Sequence, residues 1–190
     1  MEIEIERRYL MANNPLTHYD HYADEVLMIC QVYLMHEGLT KRLRLTQFLK
    51  HKFHTVGEWK LELIHKKLIS LATNEEHHTT ITKDEAFKLL EANAYIGTCI
   101  SKTRYIHYDP KQNLKFELDS FHNMDLNILE VEIPDLHFQF IIPGFLNDEI
   151  LIEVTDLRLN NQTMSKLPCN VFNIEEIKQI INTNNEITTN

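Results

Sequence analysis

The chain has 190 residues, 43% hydrophobic and 25% charged, with a formal net charge of −9 and a pI near 5.6. That length suits one domain with a real core, and the acidic balance speaks against partners bound through a basic footprint, such as a nucleic acid duplex or an anionic membrane. With only four glycines and neither GxxxxGK[ST] nor GxGxxG in the sequence, the P-loop and dinucleotide-fold routes to phosphate are closed.

Taken in chain order, most segments alternate at period two, the strand period. Residues 2–10 come first, followed by 28–35 (MICQVYLM) and then 41–48 (KRLRLTQF) after Gly38. Next are 58–66 (EWKLELIHK), 98–108 (TCISKTRYIHY) after Gly97, and 113–120 (NLKFELDS) after Asp109-Pro110. The series closes with 126–133 (LNILEVEI), which ends at Pro134, and 150–155 (ILIEVT) after Pro143-Gly144. Two helices stand out. One covers 84–94 with an apolar stripe of Ala86, Leu89, Leu90 and Ala94, and the other covers 174–182, opened by Asn173 and Glu176 and striped with Ile174, Ile177, Ile180 and Ile181. The expected fold is mainly β: a closed eight-stranded antiparallel barrel with a few flanking helices, since closure removes exposed edges. Residues 1–172 form the barrel domain, and 173–190 a C-terminal helix and polar tail.

Cys30, Cys99 and Cys169 are far apart and in no CxxC, which fits reduced core residues of a cytoplasmic protein. No apolar run nears the roughly 20 residues of a membrane span. None of the 11 histidines sits in HExxH or beside paired cysteines, so they are read as solvated loop residues.

The charges come in pairs two apart, and residues i and i+2 of a strand share a face. Glu4/Glu6 and Glu130/Glu132 are acidic pairs; Arg42/Arg44 and Lys102/Arg104 are basic pairs. Lys60, Glu62 and Lys66 share one parity, as do Lys115, Glu117 and Asp119. In RLR, EVE and LKFELD the intervening residues are apolar. A solvated sheet face would interleave the two signs, whereas the four like-charged pairs are segregated by strand. If helices cover the apolar side, the charges point into the barrel, where they are costly unless paired or ligand-bound. A polyanion bound with divalent cations satisfies both signs: arginines hold phosphate oxygens, and carboxylates hold Mg²⁺ or Mn²⁺. Tyr33, Tyr105 and Trp59 are read as barrel-wall residues.

These residues resemble the CYTH superfamily, the triphosphate tunnel metalloenzymes. Glu4-Ile5-Glu6-Arg7-Arg8-Tyr9-Leu10 is similar to that family's N-terminal ExExK signature, and Gln31-Val32-Tyr33-Leu34 to its QGYL. Arg42-Leu43-Arg44 resembles its RxR strand, Lys102-Thr103-Arg104-Tyr105 its KTRY, and Glu117-Leu118-Asp119 its ExD. Glu130-Val131-Glu132 resembles its second ExE and Glu153-Val154-Thr155 its late EVT. The matches run in order over residues 2–165.

The resemblance implies an eight-stranded tunnel that binds triphosphate compounds with Mg²⁺ or Mn²⁺, closest to the inorganic triphosphatase branch, in a monomer or homodimer with no membrane partner. It implies metal-site carboxylates at Glu4, Glu6, Asp119, Glu130 and Glu132, and phosphate ligands at Arg8, Arg42, Arg44, Lys66, Lys102 and Arg104. Glu4, Glu6, Arg8, Glu130 and Glu132 form the expected catalytic set. Metal-dependent hydrolysis of inorganic tripolyphosphate is the leading activity. A class IV-type adenylate cyclase, or a catalytically weak nucleotide or polyphosphate binder, is the alternative. Two departures from the family pattern stand out: Arg8 replaces the signature Lys, and the RxExE strand expected after Lys66 is replaced by LATNEEHHTTITKD, where Glu75 or Glu76 is the candidate for one acid and no Arg is present.

Overall fold

The computed structural model describes residues 2–12, 16–70, 72–92, 94–122, 124, 126–154 and 159–166. The strands are β1 (Glu2–Met11), β2 (Glu25–His36), β3 (Leu39–Lys50), β4 (Trp59–Leu68), β5 (Thr73–Thr80), β6 (Ala94–Asp109), β7 (Leu114–Phe121), β8 (Asn127–Glu132) and β9 (Ile150–Val154). They pair in the order β5-β4-β3-β2-β6-β7-β8-β1-β9, and a further β5–β1 pairing closes the ring. Every pairing is antiparallel. Eight strands, β1 to β8, form the closed barrel. On β1, residues 2–5 pair with β5 and residues 8–11 with β9, so the ninth strand takes the stretch of β1 that β5 leaves open.

The expected eight-stranded barrel is observed, with one exchange of strands. Thr73–Thr80 belongs to the ring although its sequence, TNEEHHTT, shows no alternation of apolar and polar residues. Asn74, Glu76 and His78 line the barrel interior, while His77 and Thr79 on the other face are exposed. A strand that is polar on both faces carries no period-two hydrophobic signal. The 150–155 segment supplies β9, beside the ring.

Outside the barrel, apolar residues of the opposite parity form two cores. Tyr9, Met11, Leu114, Phe116, Leu118, Leu129, Val131 and Ile133 pack with Leu146 of the short helix α2 (Gly144–Asn147). Cys30, Val32, Leu34, Leu43, Leu45 and Cys99 pack beneath Ala86 and Leu90 of α1 (Lys83–Ala92). Thr82 and Glu85 cap α1 reciprocally: the Thr82 N–H donates to the Glu85 carboxylate, and the Glu85 N–H donates to Thr82 Oγ1. This α1 is the first of the two expected helices; the second, 174–182, lies outside the described residues. Among the described residues no helix is long and apolar enough to cross a membrane.

A third cluster seals one end of the barrel. Ile100, Phe121 and Ile128 meet Met164 of α3 (Asn161–Met164), whose N-cap Asn160 accepts from the Thr163 N–H. The seal depends on Gly97. It sits at φ +74°, and a Cβ there would lie 2.5 Å from the Ser165 carbonyl oxygen, which accepts the Thr98 N–H at 2.8 Å. Gly97→Ala combines a strained backbone with a steric conflict against main chain. It should lower stability by about 2 kcal/mol or more, read as a fall in the urea midpoint, and an unchanged midpoint would refute the tight seat of α3.

Candidate functional site

Inward-facing side chains of the ring enclose a cavity of about 470 Å³, within the usual size range of small-molecule sites. Glu4, Glu6 and Arg8 of β1, Arg42 and Arg44 of β3, Lys66 of β4, Arg104 of β6, and Glu130 and Glu132 of β8 all line it. Nine of the eleven expected site residues thus converge. The i, i+2 spacing is what brings them together, since each strand turns one parity inward. Lys66 is the inward member of its pair: it contacts Glu76 at 2.7 Å, while Lys67 meets Glu75 on the outside.

Lys102 and Asp119 do not reach the cavity. They share the inward parity but lie one layer lower, where Lys102 pairs with Phe121 and Asp119 with Ile128 of the apolar seal. Both are almost wholly buried, and Lys102 Nζ is bound to Asp119. Asp119 also accepts from Arg104 Nε and Nη2, each at 2.6 Å. With both oxygens engaged by cations, Asp119 braces the basic wall and is not placed as a metal ligand. Lys102, likewise, is not placed to touch a substrate. Burial pushes Lys102 down to about 8 in spite of Asp119.

Other residues line the lumen beside the expected set. Tyr33, expected in the wall, lines the cavity and accepts from Gln31 Nε2 at 3.2 Å. Glu62 also lines it, and so does His78, expected as a loop histidine. The alternation of β5 recovers part of the strand thought to be missing: Asn74, Glu76 and His78 occupy the inward positions of an RxExE-like stretch. The first carboxylate is kept at Glu76, an amide stands where the pattern has Arg, and an imidazole stands where it has the last Glu. The inward parity of a strand beginning at Thr73 was the signal available in the sequence.

The cations differ sharply in how they are compensated. Arg104 meets three carboxylates: Asp119, Glu117 and Glu130, the last at 2.6 Å. Burial disfavours its charge, but these neighbours outweigh burial and hold it well above the usual range. Burial would likewise raise Glu130, yet Arg104 and Lys102 hold it far below the usual carboxylate range. Arg42 reaches Glu76 at 3.3 Å, and Glu76, opposed by burial but drawn down by Arg42 and Lys66, sits at about 2. Arg44 has no ion-pair partner among the described residues, and its buried Nε makes no hydrogen bond. Burial, and then the neighbouring Arg42 and Arg104, push it down to about 10. Arg8 is buried, and among the described residues it donates a 3.4 Å bond to the Leu159 carbonyl.

The acidic wall shows the opposite imbalance. Burial and then Glu76 raise the Glu4 carboxyl; burial and then Glu130 raise Glu6. Lys66 lies 3.4 Å from Glu4 and 3.5 Å from Glu6, too little to offset the crowding. The cavity therefore holds a region of excess positive charge and a region of excess negative charge. Carboxylate oxygens crowded beyond what local cations neutralise are a donor set that suits a hard divalent ion.

No protein-family model matches the chain, and no curated protein matches it. Among solved structures, the PH1819 protein from Pyrococcus horikoshii OT3 aligns with TM-score 0.53 and 17% identity, covering 70% of this chain and 80% of that one. The PH1012 protein of the same organism aligns with TM-score 0.50, 17% identity and the same coverage. A putative adenylyl cyclase from Hippeastrum, described as having a dominant triphosphatase activity, matches at TM-score 0.44 and 13% identity over 71% of this chain and 80% of that one. The first two show a shared fold; the third is too distant in shape to add to it.

Proposed function

We propose that this chain is a triphosphate tunnel protein of the CYTH type that hydrolyses a linear triphosphate, inorganic tripolyphosphate foremost, with Mg²⁺ or Mn²⁺. The observation that carries this reading is the split charge of the lumen. Arg44 has no ion-pair partner among the described residues, while Glu4 and Glu6 are partly buried beside other carboxylates, Glu76 and Glu130 respectively. Cations alone would relieve one wall and an anion alone the other; a polyphosphate with a divalent ion relieves both.

Arg8, Arg42 and Arg44 hold the phosphate chain through charge-assisted hydrogen bonds. Arg104, already saturated, fixes Glu130 and Glu117 and lends its field to the site. Glu4, Glu6, Glu130 and Glu132 are the residues that would hold the metal. When bound, it supplies a Lewis acid that neutralises phosphate charge and activates water. A water attacks the terminal phosphorus in line, one P–O bond forms, and the bond to the pyrophosphate leaving group breaks. The arginines stay in place as charge moves onto the leaving oxygen, so no reorganisation is needed at that moment.

A nucleoside triphosphate is the second reading, favoured by Tyr108, whose exposed ring lines the same cavity and offers a face for a base. One assay separates the two. Tripolyphosphate and ATP are incubated with Mg²⁺ or Mn²⁺, and phosphate, pyrophosphate and cyclic AMP are measured. Metal-dependent phosphate release from tripolyphosphate is expected. Cyclic AMP with pyrophosphate would move the assignment to the cyclase. Thermal stabilisation by tripolyphosphate without turnover would reduce the protein to a binder.

A further inference from the structure

We propose that Glu4, Glu76 and His78 form a mixed carboxylate–imidazole site that takes a first-row transition ion, Co²⁺, Zn²⁺ or Mn²⁺, in preference to Mg²⁺. One ligand atom from each lies within 4.8 Å of the others, and all three residues line the lumen. The backbone puts them there. β1 and β5 pair with Glu2 opposite Glu76 and Glu4 opposite Asn74, so Glu4 and Glu76 are diagonal neighbours on one face. His78 follows Glu76 at i+2 and shares that face.

The imidazole lies between two carboxylates. Its Nε2 stands 2.8 Å from Glu76 Oε2, and its Nδ1 lies 3.5 Å from Glu62 Oε1. A carboxylate behind the ring is the usual outer-shell partner of a metal-bound histidine, because it fixes the tautomer and raises the basicity of the ligating nitrogen. Glu62 is itself held by Lys60 at 2.8 Å, so the support is anchored.

The chemistry of the set decides the ion. Mg²⁺ demands near-octahedral oxygen ligands and binds imidazole poorly. Imidazole suits Zn²⁺, Co²⁺ and Ni²⁺, and affinity at a nitrogen-containing site rises along the first row. Lys66 occupies the same ground in the metal-free protein, 3.4 Å from Glu4 and 2.7 Å from Glu76. Its side chain is 30% exposed and flexible enough to withdraw when an ion arrives. Exchange of the ion for Lys66 leaves an ammonium free to meet the phosphate chain.

The inference stands without the hydrolytic reading, because the test contains no substrate. Chelator-treated protein is titrated with Co²⁺, Zn²⁺, Mn²⁺ and Mg²⁺ by calorimetry, and the visible spectrum of the Co²⁺ form is recorded. The wild type should bind Co²⁺ and Zn²⁺ at least about tenfold more tightly than Mg²⁺. His78→Ala should lose about tenfold or more for Co²⁺ and alter its spectrum, with Mg²⁺ affinity little changed. His78→Glu should reverse the order toward Mg²⁺. His78 is a partly exposed side chain, so His78→Ala should melt close to the wild type. Co²⁺ affinity and spectrum unaltered in His78→Ala would overturn the assignment, as would a wild type that prefers Mg²⁺.

Discussion

Arg44→Met is expected to weaken tripolyphosphate binding by about ten- to a hundredfold while raising the melting temperature of the ligand-free protein. The two effects share one cause. Arg44 lines the cavity with its Nε unpartnered, and no carboxylate among the described residues pairs with it. A hydrogen bond to a charged group is worth about 1.5–3 kcal/mol, and each 1.4 kcal/mol is tenfold in affinity. In the empty tunnel the same charge is a burden, because burial, Arg42 and Arg104 have driven it down to about 10. The guanidinium is protonated in both folded and unfolded chains below that value, so the burden is full at neutral pH. It is relieved only as pH rises past 10 toward the ordinary 12.5. Methionine keeps most of the packing volume and removes the charge. Arg104→Met provides the contrast, since it strands Asp119, Glu117 and Glu130 and should destabilise by about 3–5 kcal/mol. Calorimetric titration and thermal melts of the two variants check this. Unchanged binding in Arg44→Met, or a lower melting temperature, would remove the argument for an anion site.

The contrast between these two arginines was out of reach of the sequence, though the residues themselves were not. Arg42/Arg44 and Lys102/Arg104 look alike as text: two bases, one residue between them, on one face of a strand. Parity alone brings nine of the expected residues to the lumen, because a strand has only two faces and the apolar residues claim one. Parity says nothing of depth along the barrel axis. Depth follows from register, and register puts Lys102 opposite Phe121 and Asp119 opposite Ile128, at the level of the seal. That offset turns an expected phosphate ligand and an expected metal ligand into a buried brace for Arg104. β5 escaped for a related reason. Its inward face is the charged lumen and its outward face is solvent, so neither side leaves an apolar trace, and His78 passed for a loop residue. The outer cores behaved as expected, since Leu43, Leu45 and Val32 sit under α1 where period-two alternation meets a capped helix.

Replacing both Glu4 and Glu6 by Gln should cut metal-dependent phosphate release from tripolyphosphate about a thousandfold and make the metal-free protein more stable. The loss follows from the several kcal/mol a Lewis acid contributes to the transition state, at about 1.4 kcal/mol per decade of rate. The gain follows from linkage. Both carboxyls are raised above 4.5, Glu4 by burial and then Glu76, Glu6 by burial and then Glu130. A carboxyl raised in the folded state adds stability below the unfolded value of 4.5, and that stability disappears as pH climbs through the folded pKa. Amides of the same shape cannot ionise, so they remove the cost of placing two partly buried carboxylates against their neighbours. Adding Mn²⁺ should raise the wild-type melting temperature and leave the double variant nearly unmoved, because an ion that binds only the folded chain stabilises it by mass action. Melts with and without Mn²⁺, run beside the phosphate assay, distinguish the outcomes. If the double variant keeps metal-dependent turnover, the acidic wall is not the metal site. If it loses turnover yet melts lower than the wild type, the carboxylates serve the fold, and the surplus negative charge inferred for the lumen does not exist.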